Sequence, residues 1–176
     1  IYSQNQRYGA PDVVFGIEGV LLDLKNPRKI VGRTKGPIMV NEEYYENAGH
    51  ASHIVFPSGA IVKKIKGVEF LEIYYGAADT HCAKARVNLA DLLKTITEGE
   101  KPIVKRFPGN PIITPRPKVD WEEKGTFNPA AIELNHKIHI LYRAVSDKNV
   151  SVLGYAASKD GLSIDERSGR PSYIPR

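Results

Sequence analysis

One cysteine, Cys82, stands among 176 residues. An intramolecular disulfide is therefore excluded, and a cytoplasmic setting is the simpler expectation. No run of about 18 apolar residues exists, so no transmembrane helix and no membrane partner are expected. The opening residues, IYSQNQRYGAP, lack the apolar core of a signal peptide and read as the interior of a domain, so the chain is expected to be a fragment. Helical periodicity is scarce. Only NLADLLKTITE at 88–98 places apolar residues at helical spacing behind an Asn in the N-cap position, and this helix is expected to link two copies of a repeat. No RNP, zinc-finger or helix-turn-helix signature is present. The 25 Lys and Arg are interleaved with 20 Asp and Glu, so the net charge of +5 reads as a solvated surface and not as a nucleic-acid face. No Gly-rich loop cradles phosphate. His50 and His53, like His136 and His139, are three apart, which on a strand points them to opposite faces. Without a third ligand no metal site is expected, and Cys82 reads as packing.

What is present is a repeat. Three Tyr-bearing strands align: Ile1-Tyr2, FLEIYYGAAD at 70–79 and KIHILYRAVS at 137–146. Tyr2, Tyr74 and Tyr142 then stand roughly 70 residues apart, the scale of a long propeller-blade repeat. A second apolar stretch follows each one: FGIEGVLLDL, CAKARVNLADLL and SVLGYAASKD. Next come a basic residue and a Pro-flanked extended segment: GRTKGPIM, KRFPGNPII and GRPSYI. The third copy reads as cut short at Arg176. Alternating β-branched and aromatic residues mark strands at 68–74 and 137–142, with further strands expected at 52–56 and 126–133. Pro-Ser-Gly at 57–59 and Asn135-His136 are expected turns. Many short strands with Gly and Pro punctuation give an all-β sandwich, barrel or propeller, and the repeat length favours β-propeller blades of four strands. Two and a half copies cannot close a ring, so a longer chain or self-association would complete the propeller.

Two sets of motifs carry a family resemblance. GNPIITP (109–115), Trp121-Glu122, FNPAAI (127–132), LYRA (141–144) and YAASKDG (155–161) resemble the amino-terminal part of glycoside hydrolase family 130. GVLLDLKNPRKIVGRT (19–34), PIMVNEEYYENAG (37–49), IVFPSGA (54–60) and IYYGAADT (73–80) resemble its carboxy-terminal part. The resemblance implies a five-bladed propeller and inverting action on β-mannosides or similar oligosaccharides, by phosphorolysis or hydrolysis. Residues 1–98 thus resemble the family's C-terminal blades and residues 99–176 its N-terminal blade region. The end precedes the beginning, as at a tandem junction or in a circular permutation. The family's Glu-Asp-Pro-Arg stretch, with its general-acid Asp, has no counterpart in this sequence.

Four residues are expected to bind substrate. Asp79 ends a strand behind the small residues Gly76, Ala77 and Ala78. The resemblance places it in the mannose subsite, while its residue type alone also suits a turn cap. Asn128 lies in an apolar strand, and a buried amide needs partners, which the resemblance supplies as ligand. Pro129 beside it limits ladder pairing, as on an inner strand facing a channel. Arg143 follows a strand tyrosine and matches an Arg at the family's sugar site. Asp160, in SKDG, joins them, with a turn role beside Gly161 as its other reading. The family's phosphate cradle includes a His and a Tyr that align with Ser3 and Phe15. Phe donates no hydrogen bond, so inorganic phosphate stays open as a co-substrate, and no cofactor is expected. Hydrolysis by inversion needs a carboxylate base, for which Glu18 is the nearest candidate. The rival reading is a non-catalytic propeller module that binds glycan or protein.

Overall fold

The structure, a computed structural model, describes residues 1–6, 14–99 and 102–175. Strands β1 (Tyr2–Gln6), β2 (Val14–Glu18), β3 (Val20–Leu22) and β4 (Ile30–Arg33) come first, followed by the short helix α1 (Tyr44–Asn47). Strands β5 (Val55–Ile65), β6 (Val68–Ala77) and β7 (His81–Asn88), helix α2 (Leu89–Glu98) and strand β8 (Val104–Arg106) form the second group. The third is β9 (Gly125–Leu134), β10 (Lys137–Val145), β11 (Ser151–Ser158) and β12 (Glu166–Arg167). Each of the last two groups is a four-stranded antiparallel meander, in the orders β5-β6-β7-β8 and β9-β10-β11-β12. These are propeller blades. Their first hairpins match: Lys66-Gly67 and Asn135-His136 each form a two-residue turn with both φ angles positive, which suits the right-handed twist of the strands.

The sequence repeat is present in register, three times. In each copy the residue two after a proline bridges the third blade strand: Met39 to Ile17, Ile113 to Cys82, Tyr173 to Leu153. Three residues beyond that bridge, the third strand faces an arginine on the outer strand: Val20 opposite Arg33, Ala85 opposite Arg106, Ala156 opposite Arg167. In the first copy β2 and β3 together make the third strand and β4 is the outer one. Across from the bridged residues lie Ser3, Gly76 and Arg143. The repeated tyrosines are therefore Tyr2, Tyr75 and Tyr142. The sequence alignment on Tyr74 is off by one residue, which on a strand means the opposite face.

Three further expectations change. Pro57 to Gly59 is no turn but lies inside β5, where Ser58 is an extra residue opposite Tyr74 and Tyr75. A matching irregularity in β9 sets Asn128 and Pro129 against Tyr142. Both bulges sit opposite the repeated tyrosine. α2 forms as expected, with the Asn88 side chain accepting the Ala90 and Asp91 N–H groups. However, it joins the third and fourth strands of one sheet and not two copies. The third copy is a full blade. The first copy is the partial one, since β1 pairs only with β2 among the described residues.

Two cores alternate with the blades. Ile17, Ile38 and Met39 pack against Ile73, Tyr75, Ala77, Ala83, Ala85 and the α2 residues Leu92 and Ile96. Tyr74 and Cys82 pack against Ile113, Ile138, Ile140, Tyr142 and Val152. Successive residues of β6 thus serve opposite interfaces, the period of a strand buried on both faces. β8 follows residue 98 and still completes the second blade, so the divide between 1–98 and 99–176 does not fall between sheets. No described helix is long and apolar enough to cross a membrane.

Candidate functional site

The second and third blades meet at one rim. There the turn after β6 touches the start of β9: Thr126 N–H donates to Thr80 O at 2.9 Å. Gly76 leaves room for Asn128, since a Cβ at position 76 would stand 2.8 Å from Asn128 Oδ1. Asn128 adopts φ 53° in the β9 bulge, a conformation that Asn tolerates better than most residues. Its Oδ1 is shielded from solvent and has no hydrogen-bond partner among the described residues. Asp79 sits in the adjoining turn at φ 50°, half-buried, and its carboxylate has no hydrogen-bond or ion-pair partner among those residues. Arg143 pairs across β10–β9 with Phe127, and its guanidinium lies 5.0 Å from the centre of that ring. Arg143 Nη2 also donates to Ser151 Oγ at 2.9 Å and is otherwise exposed. Asp79, Asn128 and Arg143 are thus brought to one end of β9.

His81, two residues after Asp79, was not singled out in the sequence. Its Nδ1 is buried without a partner among the described residues, and burial holds its pKa below the usual histidine value. It is therefore a neutral imidazole beside the rim. A signal was available: a lone His immediately after a small-residue turn that carries a carboxylate.

Asp160 lies elsewhere. It follows β11 at the opposite end of the third blade, and its Oδ1 accepts from Ser158 Oγ and from the Leu162 and Ser163 N–H groups. The carboxylate serves its own turn. The two backbone N–H groups lower its pKa. Its stabilising contribution is present above the unfolded-state value and is lost as pH falls through the lower folded-state value. A carboxyl NMR titration should place the Asp160 midpoint below that of an ordinary aspartate; an ordinary midpoint would contradict the turn geometry.

Glu18 is buried on the third strand of the first blade and accepts from the Tyr2 hydroxyl. The other two blades show what this contact replaces. Tyr75 donates to the buried Glu46 at 2.7 Å, and Arg106 of the outer strand binds Glu46 at 2.7 Å and Glu42 at 2.8 Å. Tyr142 donates to the buried Glu122 at 2.7 Å, and Arg167 of the outer strand holds Glu122 at 3.0 Å. Arg116 also pairs with Glu122. In both blades the Glu comes from the segment before the first strand. In the first blade Glu18 takes that role from the position of Ala83 and Gly154. Ser3 Oγ is buried and unpartnered among the described residues, while Phe15 is half-buried beside His53, whose carbonyl accepts its N–H. Three other histidines bind protein groups: His50 the Lys124 carbonyl, His53 the Asn47 amide, His139 the Tyr155 hydroxyl. Cys82 is buried, and burial pushes its thiol pKa up.

The model of glycoside hydrolase family 130, described as beta-1,4-mannooligosaccharide phosphorylase, matches residues 8–98. A 1,2-beta-oligomannan phosphorylase of Thermoanaerobacter sp. (strain X514) is 35% identical over 79 residues, 45% of this chain and 25% of that protein. A beta-1,2-mannobiose phosphorylase of Listeria innocua serovar 6a is 37% identical over 73 residues, 42% of this chain and 19% of that protein. The chain thus spans about a quarter or less of the length of these curated relatives. Among solved structures, a family 117 glycoside hydrolase of Zobellia galactanivorans has a TM-score of 0.48 at 19% identity, over 80% of this chain and 37% of that one. The RS223 beta-xylosidase has a TM-score of 0.46 at 10% identity, over 66% and 36%. Since the family match covers more than half of its residues, the chain belongs to glycoside hydrolase family 130.

Proposed function

We propose that this chain is part of an inverting β-mannoside phosphorylase or hydrolase and that Asp79, Asn128 and Arg143 hold the sugar at the rim between its second and third blades. The observation that carries this reading is the shielded, unpartnered Oδ1 of Asn128, a buried acceptor without a donor at a rim that also offers an unpartnered carboxylate. Buried polar atoms are normally paired, and a sugar hydroxyl supplies the missing donor. Asp79 accepts further hydroxyls, and Arg143 donates to a ring or glycosidic oxygen. Residues 1–98 correspond to the family's C-terminal blades and residues 99–176 to its N-terminal blade region, within a ring of five. The general acid would come from outside these residues, and a cytoplasmic setting suits the single buried thiol.

Titration of the 176-residue chain with β-1,2- and β-1,4-mannobiose tests the site. Binding should weaken about tenfold or more in Asn128→Ala and in Asp79→Asn, the effect of a hydrogen bond to a buried or charged partner. Unchanged affinity in both variants would sink the assignment. Turnover of the same sugars with and without inorganic phosphate then separates phosphorolysis from hydrolysis. Binding without turnover in either condition, even with the family's acid-bearing segment joined to the chain, would favour the non-catalytic module.

A further inference from the structure

The seam between the second and third blades continues outward past Arg143. β10 ends at Val145, opposite Gly125 at the start of β9, so the turn from Ser146 to Asn149 lies at the same end of the blade as Asn128. A pocket of about 210 Å³ sits at that turn, lined by Asp120, Trp121, Glu123, Lys148, Val150 and Val152. Trp121 and Val152 also pack on the apolar core shared by these two blades, which keeps the pocket on their common seam. Ser146, which borders it too, lies three residues beyond Arg143, about 10 Å at strand spacing. We propose that this pocket is an outer sugar subsite. It holds a neutral pyranose unit of the oligosaccharide whose other end is bound at the rim, and in this it rests on Asp79, Asn128 and Arg143 holding that end.

Size and chemistry select the occupant. Drug-sized ligands fill about 300–1,000 Å³, so this pocket admits one small ring. A pyranose has a face of C–H groups and an edge of hydroxyls. The face of an indole carries partial negative charge and attracts C–H groups of this kind. Trp121 is half-buried and held in place. Its Nε1 donates to Gly169 O at 3.4 Å, and the Arg116 guanidinium lies 5.8 Å from the ring centre. Arg116 is fixed in turn by the buried Glu122. An aromatic surface ordered in advance loses little freedom on binding.

The polar groups around the ring have both signs. The Asp120 carboxylate and the Lys148 ammonium have no hydrogen-bond or ion-pair partner among the described residues. Glu123 accepts the Asp147 N–H at 3.2 Å through one oxygen and keeps the other for a ligand. A sugar hydroxyl both donates and accepts, so carboxylates and an ammonium serve the same ring. Two carboxylates against one ammonium disfavour an anionic ligand. A wholly apolar ligand would strip water from three charged side chains without replacing it.

Trp121 is the sole tryptophan of the chain, so its fluorescence reports on this pocket. The probes are β-1,2- and β-1,4-linked mannotetraose, each beside the mannobiose of the same linkage, titrated into the 176-residue chain by calorimetry and by tryptophan emission. The bound tetrasaccharide should exceed its disaccharide in affinity about fivefold or more and should change the emission saturably. Trp121→Ala should bring the tetrasaccharide down to the affinity of the disaccharide. Asp120→Ala combined with Lys148→Ala changes exposed side chains only and should remove about half or more of the gain, which keeps the test decisive if Trp121→Ala does not fold. Equal affinity for the two lengths, an unchanged emission, or a gain that both variants keep overturns the outer subsite. Mannobiose binding that still depends on Asn128 would then leave the rim standing. Tetrasaccharide binding that changes the emission but is indifferent to Asn128→Ala sinks the rim instead and keeps Trp121 as a sugar site. No binding by either length overturns both.

Discussion

Glu122→Ala should lower stability by about 3 kcal/mol, or roughly 6–12 °C in Tm, whereas Tyr142→Phe should cost about 1 kcal/mol. Glu122 is fully buried and accepts from Tyr142 while pairing with Arg116 and Arg167. Its removal leaves two guanidinium groups without a counter-charge. Deleting one partner of a buried ion pair commonly costs about 3–5 kcal/mol. The lower end applies because the arginine side chains keep 31% and 17% of their exposure, and water can reach them. Burial raises the Tyr142 pKa, so the phenol stays protonated and donates at neutral pH. Tyr142→Phe therefore removes one donor and leaves the charges matched. Thermal and urea unfolding of the two variants checks the order. If Glu122→Ala were no worse than Tyr142→Phe, the carboxylate would not be the centre of the cluster.

Gly154→Ala should be comparably damaging, at about 3 kcal/mol, the upper range for overpacking a core. A Cβ there would lie 2.3 Å from Tyr142 Cζ and 2.6 Å from its hydroxyl. That ring is fully buried, and its hydroxyl contacts Glu122 and Arg167, so it cannot step aside cheaply. Ala83 occupies the equivalent place in the second blade, so the restriction belongs to this ring and not to the fold. The double variant with Tyr142→Val tests the mechanism. It should be little less stable than Tyr142→Val alone, a strong departure from additivity. Additive losses would mean that Gly154 is needed for another reason.

Much of the fold was legible because each blade repeats a tyrosine, an arginine and a proline at nearly fixed offsets. Hydrophobic alternation located the long strands around Ile73 and Ile140. Adjacent tyrosines hid the register: Tyr74 and Tyr75 are chemically equal, and only pairing to Cys82 and Ile113 tells them apart. Pro-Ser-Gly at 57–59 has turn composition, yet pairing along the whole of β6 holds it extended and leaves a bulge. Within the site, small residues flagged Asp79 and an apolar setting flagged Asn128. Glu46 and Glu122 lie in motifs shared with the family, but their burial gave no signal, because a glutamate in a polar segment reads as surface. Their outer-strand arginine partners stand 60 residues downstream, for Arg106, or across an entire blade, for Arg167. Asp160 shows the converse, a carboxylate in a motif shared with the family whose hydrogen bonds all close within its own turn.

The path from β7 through α2 to β8 has a consequence for synthesis on the ribosome. All four strands of the second blade lie in one continuous stretch, from Val55 to Arg106. Arg106 reaches back to Glu46, which has been translated earlier. Once Arg106 has cleared the exit tunnel, this blade has every strand and its buried ion pair, before any of the third blade has emerged. Domains commonly fold from the N-terminal side during synthesis. The second blade can therefore be a finished surface against which β9 and its neighbours assemble, so that the rim between the two blades is built outward from a wall already standing.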